Sequence, residues 1–125
     1  MTRPAYYKAM FYAAAVFNWV MTAALLTGVN VALGISIPLD SLGRQLVCLL
    51  IAVFGYGYYL VGRDITRNEG IVVLGIVGKV LIFILFLGNA IAGRVSYSIL
   101  LPASGDLIFV FLFFEFFLNG REQSR

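Results

Sequence analysis

Four long apolar stretches occupy most of this 125-residue chain, and the third carries a lysine, Lys79, near its middle. A stretch of about 20 apolar residues is what a helix needs to cross a hydrocarbon core of about 30 Å. The pattern therefore predicts an all-α fold, an integral membrane four-helix bundle with up-down antiparallel topology. A charge at mid-bilayer is costly and is seldom kept there without a role. Lys79 is thus the first residue to ask about.

Composition supports the membrane reading. Hydrophobic residues make up 62% of the chain and charged residues 12%, against about half and about a quarter in ordinary soluble domains. A soluble chain this short has too much surface for its volume to bury so many apolar side chains. The expectation is one transmembrane domain, residues 1–125, with the lipid bilayer as its main partner and no nucleic acid. Cys48 is the only cysteine and there is no histidine. An intrachain disulfide is excluded, and zinc, His-ligated haem and histidine-dependent di-iron sites are disfavoured. The reading assigns no metal and no cofactor, and takes Cys48 as a packing residue. The first stretch follows Arg3 and Lys8 but is longer than a signal h-region, so it is read as a retained span.

The spans are placed at about 6–28, 41–61, 67–92 and 98–119 from length, caps and breakers. Asp40 or Ser41 caps the second span and Gly62 lies just past its end. Thr66 and Glu69 have capping-box spacing at the start of the third. Pro102 stands in the first turns of the fourth, which closes at Asn119-Gly120. Loop cations predict orientation. Arg3, Lys8, Arg63, Arg67, Arg121 and Arg125 fall on one side, Arg44 and Arg94 on the other. Six against two puts both termini in the cytoplasm. The segment 29–40 is then external yet still apolar, suited to lying on the membrane or covering the bundle.

Residues three, four and seven apart share a helix face. The inward stripes read as Ala14, Asn18, Thr22 and Leu25 in span one, and Cys48, Ala52, Gly55, Tyr56 and Tyr59 in span two. Span three contributes Gly75, Lys79, Ile82, Phe86 and Asn89. At 1.5 Å per residue, Lys79 and Asn18 both lie roughly 15 Å from the cytoplasmic ends. Asp106 and Glu115 are nine residues apart, on opposite sides of span four, and cannot form a close dyad. Lys79 is expected to pair with one of them, preferably Asp106, with Asn18 and Tyr56 in the same polar layer. Glu115 is the alternative partner, or an interfacial group. Trp19 reads as packing. The six phenylalanines between 109 and 117 cover every side of span four, so several must face lipid. Arg63, Asp64 and Arg67 form the densest cytoplasmic charge cluster, an ordinary turn with an affinity for anionic headgroups.

The run Phe54-Gly55-Tyr56-Gly57-Tyr58-Tyr59-Leu60-Val61-Gly62-Arg63-Asp64, then Arg67-Asn68-x-Gly70, Leu74-Gly75-x-x-Gly78-Lys79 and Gly105-Asp106-Leu107-x-Phe109, resembles small bacterial four-span membrane proteins of the DoxX-like group. The resemblance covers spans two to four. It implies a bacterial inner membrane and directs attention to Tyr56, Arg63, Asp64, Lys79 and Asp106, but brings no activity with it. Three functions remain open. One is a bundle that binds a lipophilic or small ligand, or serves as a homo-oligomer or a subunit of a larger membrane complex. The second is a membrane isomerase or cyclase that uses Lys79 and a carboxyl for proton transfer. The third is an oligomeric small-solute transporter. No nucleotide loop, nucleophile elbow or metal motif is present.

Overall fold

The computed structural model describes residues 3–120. Among the described residues the regular structure is entirely helical. The helices are α1 (Arg3–Thr27), the short α2 (Val29–Ala32), α3 (Ser41–Arg63), α4 (Glu69–Ile91) and α5 (Leu100–Glu115). A single 3₁₀ turn, Tyr97–Ile99, leads into α5, and a π-helical turn, Phe116–Gly120, continues from it. Four segments are long and apolar enough to cross a membrane: Arg3–Thr27, Ser41–Arg63, Glu69–Ile91 and Tyr97–Asn119. They form the expected up-down antiparallel bundle.

The helix ends show how local chemistry sets the boundaries. Pro4 is tolerated in the first described turn of α1, where its missing N–H has no intrahelical acceptor. Asp40 caps α3, its carboxylate accepting from the Gly43 N–H at 2.6 Å. The start of α4 departs from expectation. Thr66 does not cap it; its N–H and hydroxyl both donate to Asp64 Oδ1, at 3.0 and 2.5 Å. Asn68 stands at the N-cap instead, in the left-handed region at φ 63°, which asparagine reaches more readily than most residues. Gly62 is not a terminator either. It lies inside α3, where a Cβ would stand 2.9 Å from the Tyr12 ring. It is glycine because α1 and α3 pack closely there.

One end of the bundle gathers Arg3, the 64–68 turn and the π turn; this is the termini end. The other holds the 28–40 and 92–96 segments; this is the loop end. A single buried cluster fills the termini half, built on Tyr7, Phe11, Tyr58, Val61, Phe113 and Phe116. Phe11 stacks on Phe113 at 5.0 Å between centroids, and Tyr7 meets Phe116 edge-on, also at 5.0 Å. The phenylalanines of α5 divide as expected, with Phe113 buried and Phe111 and Phe114 facing outward. At the loop end, Ser98 Oγ donates to the Gly34 carbonyl, tying the 28–40 segment to the start of the last span. Val31 and Leu33 of that segment are exposed.

Candidate functional site

Lys79 sits ten residues into α4, roughly 15 Å from its start, and its side chain is 7% exposed. The reach of a lysine, about 6 Å, is too short for it to snorkel to that end. Its ammonium instead donates to Asp106 Oδ1 of α5 at 2.5 Å and to Asn18 Oδ1 of α1 at 3.5 Å. Three ring faces complete the enclosure. The ammonium lies 5.3 Å from the Tyr58 centroid, 5.6 Å from Phe17 and 5.7 Å from Phe109. All four long helices therefore converge on one nitrogen.

Two glycines make that convergence geometrically feasible. A Cβ at Gly75 would stand 2.8 Å from Tyr58 Cε1, so the Tyr58 ring lies directly on the α4 backbone one turn before Lys79. A Cβ at Gly105 would stand 2.9 Å from Phe17 Cζ, so Phe17 presses on α5 beside Asp106. A third glycine, Gly55, lets α1 approach α3; a Cβ there would meet Trp19 and Asn18 at 2.8 to 3.1 Å. The Asn18 amide donates from Nδ2 to the Ile51 carbonyl at 3.0 Å. That bond turns Oδ1, the acceptor, toward Lys79. Thr22, one turn on, donates to the carbonyls of Asn18 and Cys48.

In a medium this apolar, an isolated ammonium or carboxylate is strongly penalised, and pairing with added hydrogen bonds offsets the penalty. Ring faces carry negative potential and add to the attraction for a desolvated cation. The pair is nonetheless lopsided. The Asp106 side chain is 22% exposed, about three times the 7% of Lys79. The cation is enclosed and the anion is partly open.

Other sequence candidates fall elsewhere. Tyr56 does not join the polar layer. It is 56% exposed on the outer surface of α3 and stacks on Tyr59 at 6.3 Å. The inward positions of α3 are Cys48, Gly55, Tyr58, Val61 and Gly62, and Tyr58 takes the place expected of Tyr56. Ile82 of the α4 stripe is likewise exposed, at 42%. Glu115 does not meet Lys79. It accepts from the Tyr7 hydroxyl at 2.8 Å and from Arg3 at 3.2 Å, tying α1 to α5 at the termini end. Trp19 donates to the Ala52 carbonyl at 3.3 Å, a packing role with a polar tether. Arg63 ends α3, exposed. Asp64 pairs with Arg67 at 3.5 Å. Its two bonds from Thr66, reinforced by the charge of Arg67, hold the Asp64 carboxyl below its ordinary range.

Sequence reasoning missed the three rings. Phe109 follows Asp106 by one turn and so shares its face, a signal that was present but hidden among the phenylalanines of α5. Phe17 and Tyr58 become visible only once Gly105 and Gly75 are recognised as their contact points. Fold and site together define a small four-span helical membrane bundle built around one intramembrane ion pair. No family model, no curated protein and no solved structure matches the chain.

Proposed function

We propose that this protein is a multi-pass protein of the bacterial inner membrane that binds a lipophilic or small ligand at the Lys79–Asp106 pair, alone or as a subunit of a membrane complex. The observation that carries the reading is the unequal exposure of the pair. A purely structural lock gains nothing from leaving one of its two charges partly open, because every unsatisfied acceptor in lipid costs free energy. The proton-transfer alternative has less support. Lys79, its natural base, is enclosed by Phe17, Tyr58 and Phe109 and committed to Asp106. The resemblance to DoxX-like proteins and the excess of cations at the termini end support a bacterial inner membrane with both termini cytoplasmic. An impermeant thiol reagent applied to intact cells is expected to spare a Lys8→Cys variant; ready labelling would reverse the orientation.

The ligand reading is tested by native mass spectrometry of protein released from its own membrane in lipid nanodiscs. The wild type is expected to retain an adduct of discrete mass. The Lys79→Met/Asp106→Asn double variant, which leaves no unpaired buried charge, is expected to lose it. A wild type that carries only the bulk lipid distribution, identical to that of the double variant, would reduce the pair to a structural lock.

A further inference from the structure

We infer that the ligand of this site bears a hydrogen-bond-donating head, an alcohol or amine on a lipophilic tail, which Asp106 receives. This rests on the ligand-binding reading above and names its chemistry. Lys79 is already spent: it donates to Asp106 Oδ1 and Asn18 Oδ1, and ring faces cover it on three sides. Asp106 is the half of the pair with acceptor capacity to spare. A carboxylate has about four lone-pair positions; among the described residues only Lys79 bonds to this one, through Oδ1.

The aromatic cluster fills the bundle on the termini side of the pair, with Tyr58, Phe11, Phe113 and Phe116 each at most 2% exposed. Helical side chains lean toward their own N-terminus, so Asp106 leans toward the loop end, away from that plug. The head-group chemistry follows from the sign of what lines the site. An acid would meet a second carboxylate and the negative faces of Phe17 and Phe109. An alcohol or amine meets an acceptor and donates to it, and burial strengthens that bond relative to water.

The test uses four ten-carbon probes that differ only in the head: 1-decanol, decylamine, decyl methyl ether and decanoate. Each is added at equal membrane mole fraction to protein in phosphatidylcholine nanodiscs, and thermal unfolding is followed. The alcohol and the amine are expected to raise the wild-type midpoint saturably, by about 3–6 °C over the ether and the acid. The same difference is expected to vanish in Lys79→Met/Asp106→Asn, which keeps the bundle free of a lone buried charge. Protection by decanoate that disappears in Lys79→Met would assign recognition to Lys79, overturning the donor-head inference while leaving a ligand at the site. Equal responses to all four heads, or a response that survives in the double variant, would overturn the inference; joined to the absence of a retained adduct, either would remove the ligand reading as well.

Discussion

The two halves of this bundle hold together by different means. In the termini half, Tyr7, Phe11, Tyr58, Phe113 and Phe116 interlock, each at most 2% exposed. In the loop half the buried residues are fewer and mostly small or aliphatic: Leu25, Cys48, Ala90, Ile99 and Ala103. Hydrogen bonds cross between elements in both halves, from Tyr7 and Arg3 to Glu115 at the termini end and from Thr22 to the Cys48 carbonyl and Ser98 to the Gly34 carbonyl at the loop end. The difference shows how a membrane bundle divides its labour. Lipid is as apolar as the core, so no hydrophobic force drives the helices together, and close packing and interhelical hydrogen bonds must do so. Lys79–Asp106 stands at the boundary between the two halves.

The contrast can be broken most sharply by truncation. Phe11→Ala and Phe113→Ala are expected to destabilise the bundle by about 3–5 kcal/mol, the range for a large aromatic lost from a packed core. Leu25→Ala and Ile99→Ala, at the loop end, should fall near the lower limit for aliphatic truncation, about 2 kcal/mol. Steric-trap or denaturant unfolding in bicelles measures both sets. Equal losses in the two halves would erase the distinction.

Glycine substitutions sharpen it. Gly75→Leu must displace Tyr58, which a Cβ already meets at 2.8 Å, and overpacking of this kind costs about 1–3 kcal/mol. Gly78 and Gly88 have nothing within 4 Å of a Cβ, so Gly78→Ala and Gly88→Ala should not destabilise, and the better helix propensity of alanine should stabilise each by up to about 1 kcal/mol. If Gly75→Leu proves as harmless as those two, Tyr58 does not rest on α4.

The smallest expected effect lies outside the membrane. The Asp64 carboxyl, bonded by Thr66 and set beside Arg67, has a folded pKa below its unfolded value. Such a group contributes stability above the unfolded pKa of about 3.9 and loses it as pH falls through the folded value. Wild type and Asp64→Asn should therefore differ by a small, constant amount from neutrality down to about pH 5, and converge below about pH 4. A difference that grows on acidification would reverse the sign of this contribution.

Much of this was legible from residues alone, for reasons that also explain the errors. Lys79, Asp106 and Asn18 stand out because polar groups are rare in apolar runs, and helical periodicity then limits which of them can meet. Asp106 and Glu115, set on opposite faces, could be separated in advance, and the structure sends one to Lys79 and the other to Tyr7 and Arg3. The run from Gly55 to Gly62 was harder. Tyrosines at 56, 58 and 59 surround the helix, so a stripe drawn through Tyr56 and one drawn through Tyr58 look equally apolar and differ by about 200°. The deciding fact, that Gly75 offers Tyr58 a flat seat, is tertiary. Gly62 misled for a related reason. A glycine after an apolar run often ends a helix, but here it makes room for Tyr12.

The central claim is that Lys79 and Asp106 compensate each other inside the bundle. A double-mutant cycle with Lys79→Met and Asp106→Asn in bicelles tests it most directly. Each single variant leaves one group without its partner and should lose about 3–5 kcal/mol, whereas the double variant, with no buried charge to satisfy, should lose distinctly less than either. Strictly additive losses, with the double variant the least stable of the three, would contradict the pairing on which this account of the protein depends.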